Sequence, residues 1–459
     1  MNRKDFLIKS LMAGGGLALL PSLLASCKRE NIFENSSFKG SVGIVGAGIS
    51  GLYAALLLKE RGIDVQIFEA SNDFGGRIKT LEGFADFKIE LGAEYVHGNN
   101  SVWYDFVRNG SNNFVTSDLQ DYYFLNGQIM TQTAFESTSQ YAEIISLLDS
   151  IESYASSDIS ALGYAVLNGL SEELIPIWNG WVGNENGTDI SKIGISGLSF
   201  VDQSWVAGEG DFLLKSPDFK TIMLEAFSSV LPYVQYNTPI SHINYADSKV
   251  KLYDADGQEY LKDRVIVTSS IQVLKDQLVT FTPNLPPLQL QAINSIAMDK
   301  GLKIILKFSE GFWPNDLASI YGGTVVPEYW ATGIGGRSAQ NNILTAFVNG
   351  SAAENLIALG DQMIPTILTE LDGMFGGSIA SNNFIDHRFI NWSEQEYIRG
   401  TYSYFPVDLS SDIRGQLAEP VNNKLFFAGE ASHSSGHHGT VHGAMEAAFR
   451  SVKQILESA

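Results

Sequence analysis

Cysteine is almost missing. Cys27 is the only one in 459 residues, so no intrachain disulfide can form. Basic residues are also scarce, with 30 Lys and Arg against 51 Asp and Glu and a net charge of −21. That balance argues against nucleic acid as a partner, because phosphate binding needs a basic surface. It suits solubility and attraction of cationic ligands. Long apolar runs are lacking: Leu11–Leu24 is interrupted by Gly14–Gly16 and Pro21 and is too short to span a bilayer. There is no short-period repeat. Glycine, by contrast, is plentiful, and many of the 44 sit in short motifs, as close backbone approach to a ligand requires. The length is too great for one simple core and implies at least two lobes.

Residues 1–26 read as a secretory signal, with Arg3, Lys4 and Lys9 as its basic start. Leu24-Ala25-Ser26-Cys27 resembles a bacterial lipobox, which implies cleavage before Cys27 and lipid on its sulfur. Arg3-Lys4-Asp5-Phe6-Leu7 is similar to a twin-arginine export signal, with Lys4 in place of the second arginine. The expectation is a lipid-anchored protein of the bacterial cell envelope, exported by a twin-arginine-like or general secretory signal, with residues 27–40 as a polar tether.

Val42–Val45 is a short apolar run of the buried parallel-strand type, and it enters Gly46-Ala47-Gly48-Ile49-Ser50-Gly51. An amphipathic helix follows up to Gly62, then a second strand, Val65–Phe68, ending at Glu69. The three glycines meet three different physical needs. Gly46 permits the tight turn, Gly48 lets backbone approach a pyrophosphate, and Gly51 lets helix and strand pack. Ile49 and Ser50 begin a helix whose N-terminus faces the phosphates. Glu69, followed by Ala70, is placed to bind ribose hydroxyls. This unit predicts a dinucleotide but does not choose between NAD and FAD.

Asn72-Asp73-Phe74-Gly75-Gly76-Arg77 follows, a loop suited to fold over the pyrophosphate with Arg77 neutralising charge. Here the chain resembles the flavin-containing amine oxidase family, which includes monoamine oxidases, polyamine oxidases and lysine-specific histone demethylases. The resemblance covers most of residues 41–459. Glu90 to Gly98 resembles the segment passing the flavin ring, with Gly92, Ala93, Glu94 and Tyr95 at the cofactor and His97 facing the substrate. The His97 form is closest to polyamine oxidases. Tyr236 to Ile240 resembles the segment whose backbone holds the adenine, and Trp392 is placed at the cofactor. Leu302 to Phe308 alternates as a strand before Phe312-Trp313, so Lys303 matches the family lysine that holds a water against flavin N5. Tyr402 falls on the aromatic wall. Thr401 stands where monoamine oxidases carry the cysteine bonded to flavin, which implies non-covalent FAD. Gly429-Glu430 resembles the closing FAD motif. Thr440 and Val441 open the last helix, which points at the flavin pyrimidine, and Thr440 replaces a second cage tyrosine.

The expected fold is α/β, two-lobed in the α+β sense. A Rossmann-like FAD-binding domain of the glutathione-reductase-like type is built from 41–99, 225–300 and 396–459. A substrate domain from 100–224 and 301–395 interleaves with it and contains a mixed sheet flanked by helices. The implied reaction is hydride transfer from the amine α-carbon to flavin N5, hydrolysis of the imine, and reoxidation by O2 to give hydrogen peroxide. Lys303, Tyr402 and His97 are the expected catalytic residues, and polyamines the leading substrates.

Glu94, Glu185 and Glu209 are candidates to pair distal ammonium groups. Trp103, Trp178, Trp181, Trp205 and Trp330 are candidates to face a cation. An amino-acid oxidase would need an arginine for the carboxylate, with Arg337 or Arg399 as candidates. A third reading is a flavin-bearing scaffold without turnover. His433, His437, His438 and His442 raise a metal reading, but no acid or cysteine is evident to complete the set, so none is expected.

Overall fold

The computed structural model describes residues 38–108, 113–115, 119–154 and 156–458. The signal, Cys27 and most of the tether lie outside the described residues. No helix among the described residues is long and apolar enough to cross a membrane.

The first lobe is organised by a five-stranded sheet. Its spatial order is Val234–Gln235, Asp64–Phe68, Ser41–Val45, Arg264–Val267 and Leu425–Phe427. All neighbours run parallel, with Val45 beside Phe68 on one side and Val267 on the other. The strands are buried on both faces: helices cover one, and the antiparallel strands Ile240–Asn244, Val250–Asp254 and Glu259–Lys262, with the helices Ile271–Lys275 and Pro287–Ser295, cover the other. Ile49–Lys59 packs with Val441–Glu457 over one face, where Leu52, Ala55 and Ala448 are fully buried. The helices Val102–Arg108 and Phe219–Ala226 join this same core through Trp103, Val107 and Phe219. The sequence assigns Val102–Arg108 and most of Phe219–Ala226 to the substrate lobe, whereas their aromatic side chains belong to the core of the first lobe, with Val102–Arg108 against the helix Val441–Glu457.

The second lobe holds a seven-stranded mixed sheet in the order Phe384–Asn391, Gly301–Phe308, Ile343–Asn349, Glu328–Ala331, Leu317–Tyr321, Gln120–Leu125 and Gln128–Thr131. Its neighbours are antiparallel except for the parallel pair Leu317–Tyr321 with Gln120–Leu125. The alternation in Gly301–Phe308 predicts a strand, and it is one: it lies between two others in the sheet, both its faces are buried, and Lys303 is only 2% exposed.

Candidate functional site

Four loops leave the carboxyl ends of the parallel strands and converge. Gly46 follows Val45, Glu69 follows Phe68, Thr268 follows Val267, and the turn at Gly429 closes after Phe427 and Ala428. All four line one cavity of about 650 Å3 that extends into the second lobe. Ligands of open α/β sheets bind at such strand ends.

The cavity's nucleotide end has the shape a dinucleotide needs. Gly46, Gly75 and Gly429 have φ of +107°, +110° and +94°, which side chains disfavour. Gly48 caps the helix Ile49–Lys59 without a side-chain hydrogen bond, so the first helical N–H groups lack a side-chain partner. A Cβ on Gly48 would meet no protein atom, because it would point into the open groove. A Cβ on Gly51 would stand 2.0 Å from the Gly46 carbonyl oxygen. Gly51 does not line the cavity; it is a packing glycine. Ile49, Ser50, Ala70, Gly76 and Ile240 do line it. An open glycine cradle at a bare helix N-terminus fits the FAD pyrophosphate.

Glu69 lies at the rim, its carboxylate accepting from Ala47 N at 2.6 Å and from the Ser71 amide and hydroxyl. Arg77 Nη1 donates to the Thr401 carbonyl (2.8 Å) and to Glu430 Oε1 (2.9 Å). Glu430 also accepts from Ser403 Oγ and Gly439 N. Burial opposes its charge, but Arg77 and Arg414 outweigh burial and hold the carboxyl below its usual range. Glu430 lines the cavity and also fastens the Gly75–Arg77 loop to the closing segment.

Where the lobes meet, Lys303 Nζ donates to Glu94 Oε2 (2.7 Å) and to the Gly92 carbonyl (3.2 Å). Arg337 Nη1 donates to Glu94 Oε1 (2.7 Å). Burial opposes the Glu94 charge, but Lys303 and Arg337 overcome it and hold the carboxyl low. The trio carries one net positive charge. Ala93, Tyr95 and Trp392 line the cavity beside it. Two sequence expectations end here. Glu94 is committed to Lys303 and Arg337, so it has no charge left for a substrate ammonium. Arg337 is committed in turn, and Arg399 is bound to Asp276 outside the cavity, so neither serves a substrate carboxylate.

The remaining wall carries the other expected site residues. His97 lines it, with Nδ1 2.6 Å from Asp211 Oδ1. Tyr402 donates its hydroxyl to the Glu185 carbonyl (2.8 Å) and lays its ring over Gly439, where a Cβ would approach within 3.0 Å. Thr440 caps the helix Val441–Glu457 through Gly443 N, and Thr440 and Val441 both line the cavity. Of the five candidate tryptophans only Trp330 lines this cavity, and Lys303 Nζ lies 4.9 Å from its ring centre. Trp103 and Trp178 are core residues.

Glu328 is the residue that sequence reasoning missed. It reads as an ordinary strand residue before Tyr329-Trp330, yet it lines the cavity at 4% exposure together with half-buried Glu185. Its Oε1 accepts from Ser319 Oγ and Tyr321 OH, while its Oε2 has no hydrogen-bond partner. Burial first, and the Glu185 charge second, push its carboxyl well above the usual range. Glu209 does not line the cavity.

The histidine cluster does contain an acid, contrary to the sequence reading. His433, His437 and Glu446 present atoms within 4.8 Å of one another, because Glu446 comes from the following helix. Their protons argue against an ion. Ser435 N and His437 N donate to His433 Nδ1, and Val206 N donates to His437 Nε2. The inner nitrogens therefore carry hydrogens, both aimed at Glu446 Oε2 at 2.8 and 2.7 Å. Metal-bound histidines instead donate outward.

Comparison with known proteins agrees with this architecture. Residues 233–456 match the family described as flavin containing amine oxidoreductase, and residues 44–109 match an NAD(P)-binding Rossmann-like domain. The chain is 26% identical over 451 residues to probable polyamine oxidase 4 of Arabidopsis thaliana, covering 90% of this chain and 86% of that one. It is 25% identical to polyamine oxidase 1 of Zea mays, covering 97% and 96%. In fold it is similar to a putrescine oxidase (TM-score 0.79, 19% identity, covering 91% of this chain and 99% of that one). It is also similar to cyclohexylamine oxidase of Brevibacterium oxydans (TM-score 0.78, 18% identity, covering 92% and 99%). The chain belongs to the flavin-containing amine oxidoreductase family and is an FAD-dependent amine oxidase.

Proposed function

We propose that this amine oxidase acts on a diamine or polyamine, with O2 as electron acceptor and hydrogen peroxide as product. Glu328 carries the reading. The charged form of a buried carboxyl with one unbonded oxygen, beside a second acid, is costly unless a cation arrives. Of the cations lining the cavity, Lys303 is spent on Glu94, Arg77 on Glu430 and Lys220 on Asp73, and the fourth, Lys79, is exposed to solvent. The distal ammonium of a diamine supplies what is missing, and Trp330 offers it an aromatic face. The polyamine oxidase relatives and the putrescine oxidase fold neighbour bear names that agree with this class.

When bound, FAD supplies the two-electron acceptor for the C–H bond beside the amine nitrogen. The chain's own residues bind and orient. His97, its Nδ1 held by Asp211, turns Nε2 to the amine. Tyr402 walls the amine's approach. Lys303 uses two of its three donors on Glu94 and Gly92, which leaves one for a water. The FAD is non-covalent, since Thr401 occupies the wall and Cys27 is the only cysteine.

Anaerobic bleaching of the flavin absorbance across polyamines, monoamines and amino acids tests the proposal. Diamines and polyamines should bleach it fastest. Equal rates with monoamines of the same length would remove the distal-ammonium reading. Export and lipid attachment at Cys27 are part of the same proposal, supported by the lipobox-like segment. Mass spectrometry of the mature N-terminus should find a lipid-modified Cys27; an intact Met1 would refute it.

A further inference from the structure

A second cavity, of about 520 Å3, lies beside the first. Among the described residues, Glu94 is the one that lines both. Its carboxylate divides them, with Oε2 bound to Lys303 and Oε1 bound to Arg337, which lines the second cavity. The second cavity also contains Glu90, a buried acid that the amine chemistry does not use.

We infer that this second cavity is a proton-delivery basin: Lys303 gives one ammonium proton to the reduced oxygen, and Glu90 restores it to the Lys303 amine through cavity water and the Glu94 carboxylate. The inference rests on the amine oxidase reading with O2 as acceptor. Converting O2 to H2O2 takes two electrons and two protons. The hydride lost by the amine carbon carries both electrons and one proton, so one further proton must enter. The basin reaches Glu94 from the side opposite the amine cavity, so a proton entering there need not cross that cavity.

The groups facing Glu90 set its proton affinity. Phe219 N donates to Oε1 (2.7 Å) and Thr80 Oγ1 to Oε2 (3.3 Å). Asp218, from the start of the helix Phe219–Ala226, and Glu94 add negative charge, while Lys303 opposes them. Across the basin stand Asp86, Lys88, Lys215 and Arg337. Lys88 lies 3.3 Å from Asp218 and Arg337 is held by Glu94, so neither cation is spent on Glu90. Burial, then the Glu94 and Asp218 charges, push its carboxyl up to about 8 against the pull of the Phe219 amide. It therefore carries its proton at neutral pH and releases it at mildly alkaline pH.

The test uses the FAD-loaded enzyme. Infrared difference spectra from about pH 6 to about pH 10 should show a protonated carboxyl band that disappears near pH 8. Glu90→Gln should abolish that band. Asp218→Asn keeps a helix-capping side chain and should move the transition to lower pH, because it removes a negative charge. After anaerobic reduction by an amine, mixing with O2 should give a reoxidation rate that falls through this pH range. In Glu90→Gln that rate should be roughly tenfold lower or less and should not change with pH, while the anaerobic step stays as in the native enzyme. Absence of the titrating band, or an unaltered reoxidation pH profile in Glu90→Gln, overturns the inference. Failure of every amine to bleach the flavin would instead overturn the amine oxidase reading, and the infrared titration distinguishes the two failures.

Discussion

His97 and Asp211 are direct partners in an antiparallel strand pair, and their side chains meet at 2.6 Å on the cavity wall. The carboxylate takes the Nδ1 hydrogen, which leaves a lone pair on Nε2 for the amine. Asp211→Asn lets the ring adopt either tautomer. It should lower kcat/KM for the amine by roughly tenfold, about 1.4 kcal/mol, with the protein folded and FAD bound. Steady-state kinetics against the purified variant checks this; an unchanged kcat/KM removes Asp211 as the positioning residue.

Lys303→Met should fold and bind FAD, but anaerobic reduction by the amine should slow by roughly a hundredfold or more. It should also cost about 3 kcal/mol of stability, since Glu94 stays buried with Arg337 as its one remaining partner. Stopped-flow bleaching and a denaturant titration read the two effects separately. Native reduction rates would end the catalytic assignment.

Glu328→Gln should reduce kcat/KM for diamines while leaving short monoamines nearly unchanged. The pH sign follows from its raised carboxyl. The neutral acid predominates at low pH, so attraction of a distal ammonium strengthens as pH rises and the carboxylate forms. In the variant the ratio of diamine to monoamine kcat/KM should be flat with pH. A ratio that still rises would place the recognition elsewhere.

Glu446 is held low: burial opposes its charge, but hydrogen bonds from His433 and His437 prevail. An acid depressed in the folded state stabilises it fully above the unfolded value of about 4.3, and this is lost as pH falls below that value. Glu446→Gln should therefore be less stable at neutral pH and lose less on acidification. Denaturant midpoints from about pH 6 to about pH 3 check it. Because the inner imidazole nitrogens are protonated, added zinc should not raise the Tm; a zinc-dependent rise would contradict the tautomer assignment.

Two glycines three residues apart should fail differently. Gly48→Ala places a methyl in the open groove, so the apoprotein should keep its stability and lose FAD affinity. Gly51→Ala drives a methyl against the Gly46 carbonyl and should destabilise even the apoprotein, by about 1–3 kcal/mol. Thermal melts with and without FAD discriminate the two.

Much of the nucleotide lobe was legible because its constraints are local. Strand, glycine turn, helix, strand and acid occupy residues 41–69 in one unbroken run, and each glycine answers a backbone requirement of its own neighbours. Lys303 was legible as a position on a strand, by its alternation and the aromatic pair that follows. Its environment was not. Glu94 lies more than two hundred residues before Lys303 and Arg337, and the three become one charge cluster only where the lobes close. The same holds for Glu446, which reaches His433 and His437 only because a helix turns back over their loop. Sequence by itself determined a dinucleotide site and the strands that present it, because those depend on backbone conformation over short spans. Tertiary structure alone decided which carboxyls are spent and which remain for a ligand. Glu94 is neutralised and Glu328 is not, since charge compensation in a buried site is set by distance in space and not along the chain.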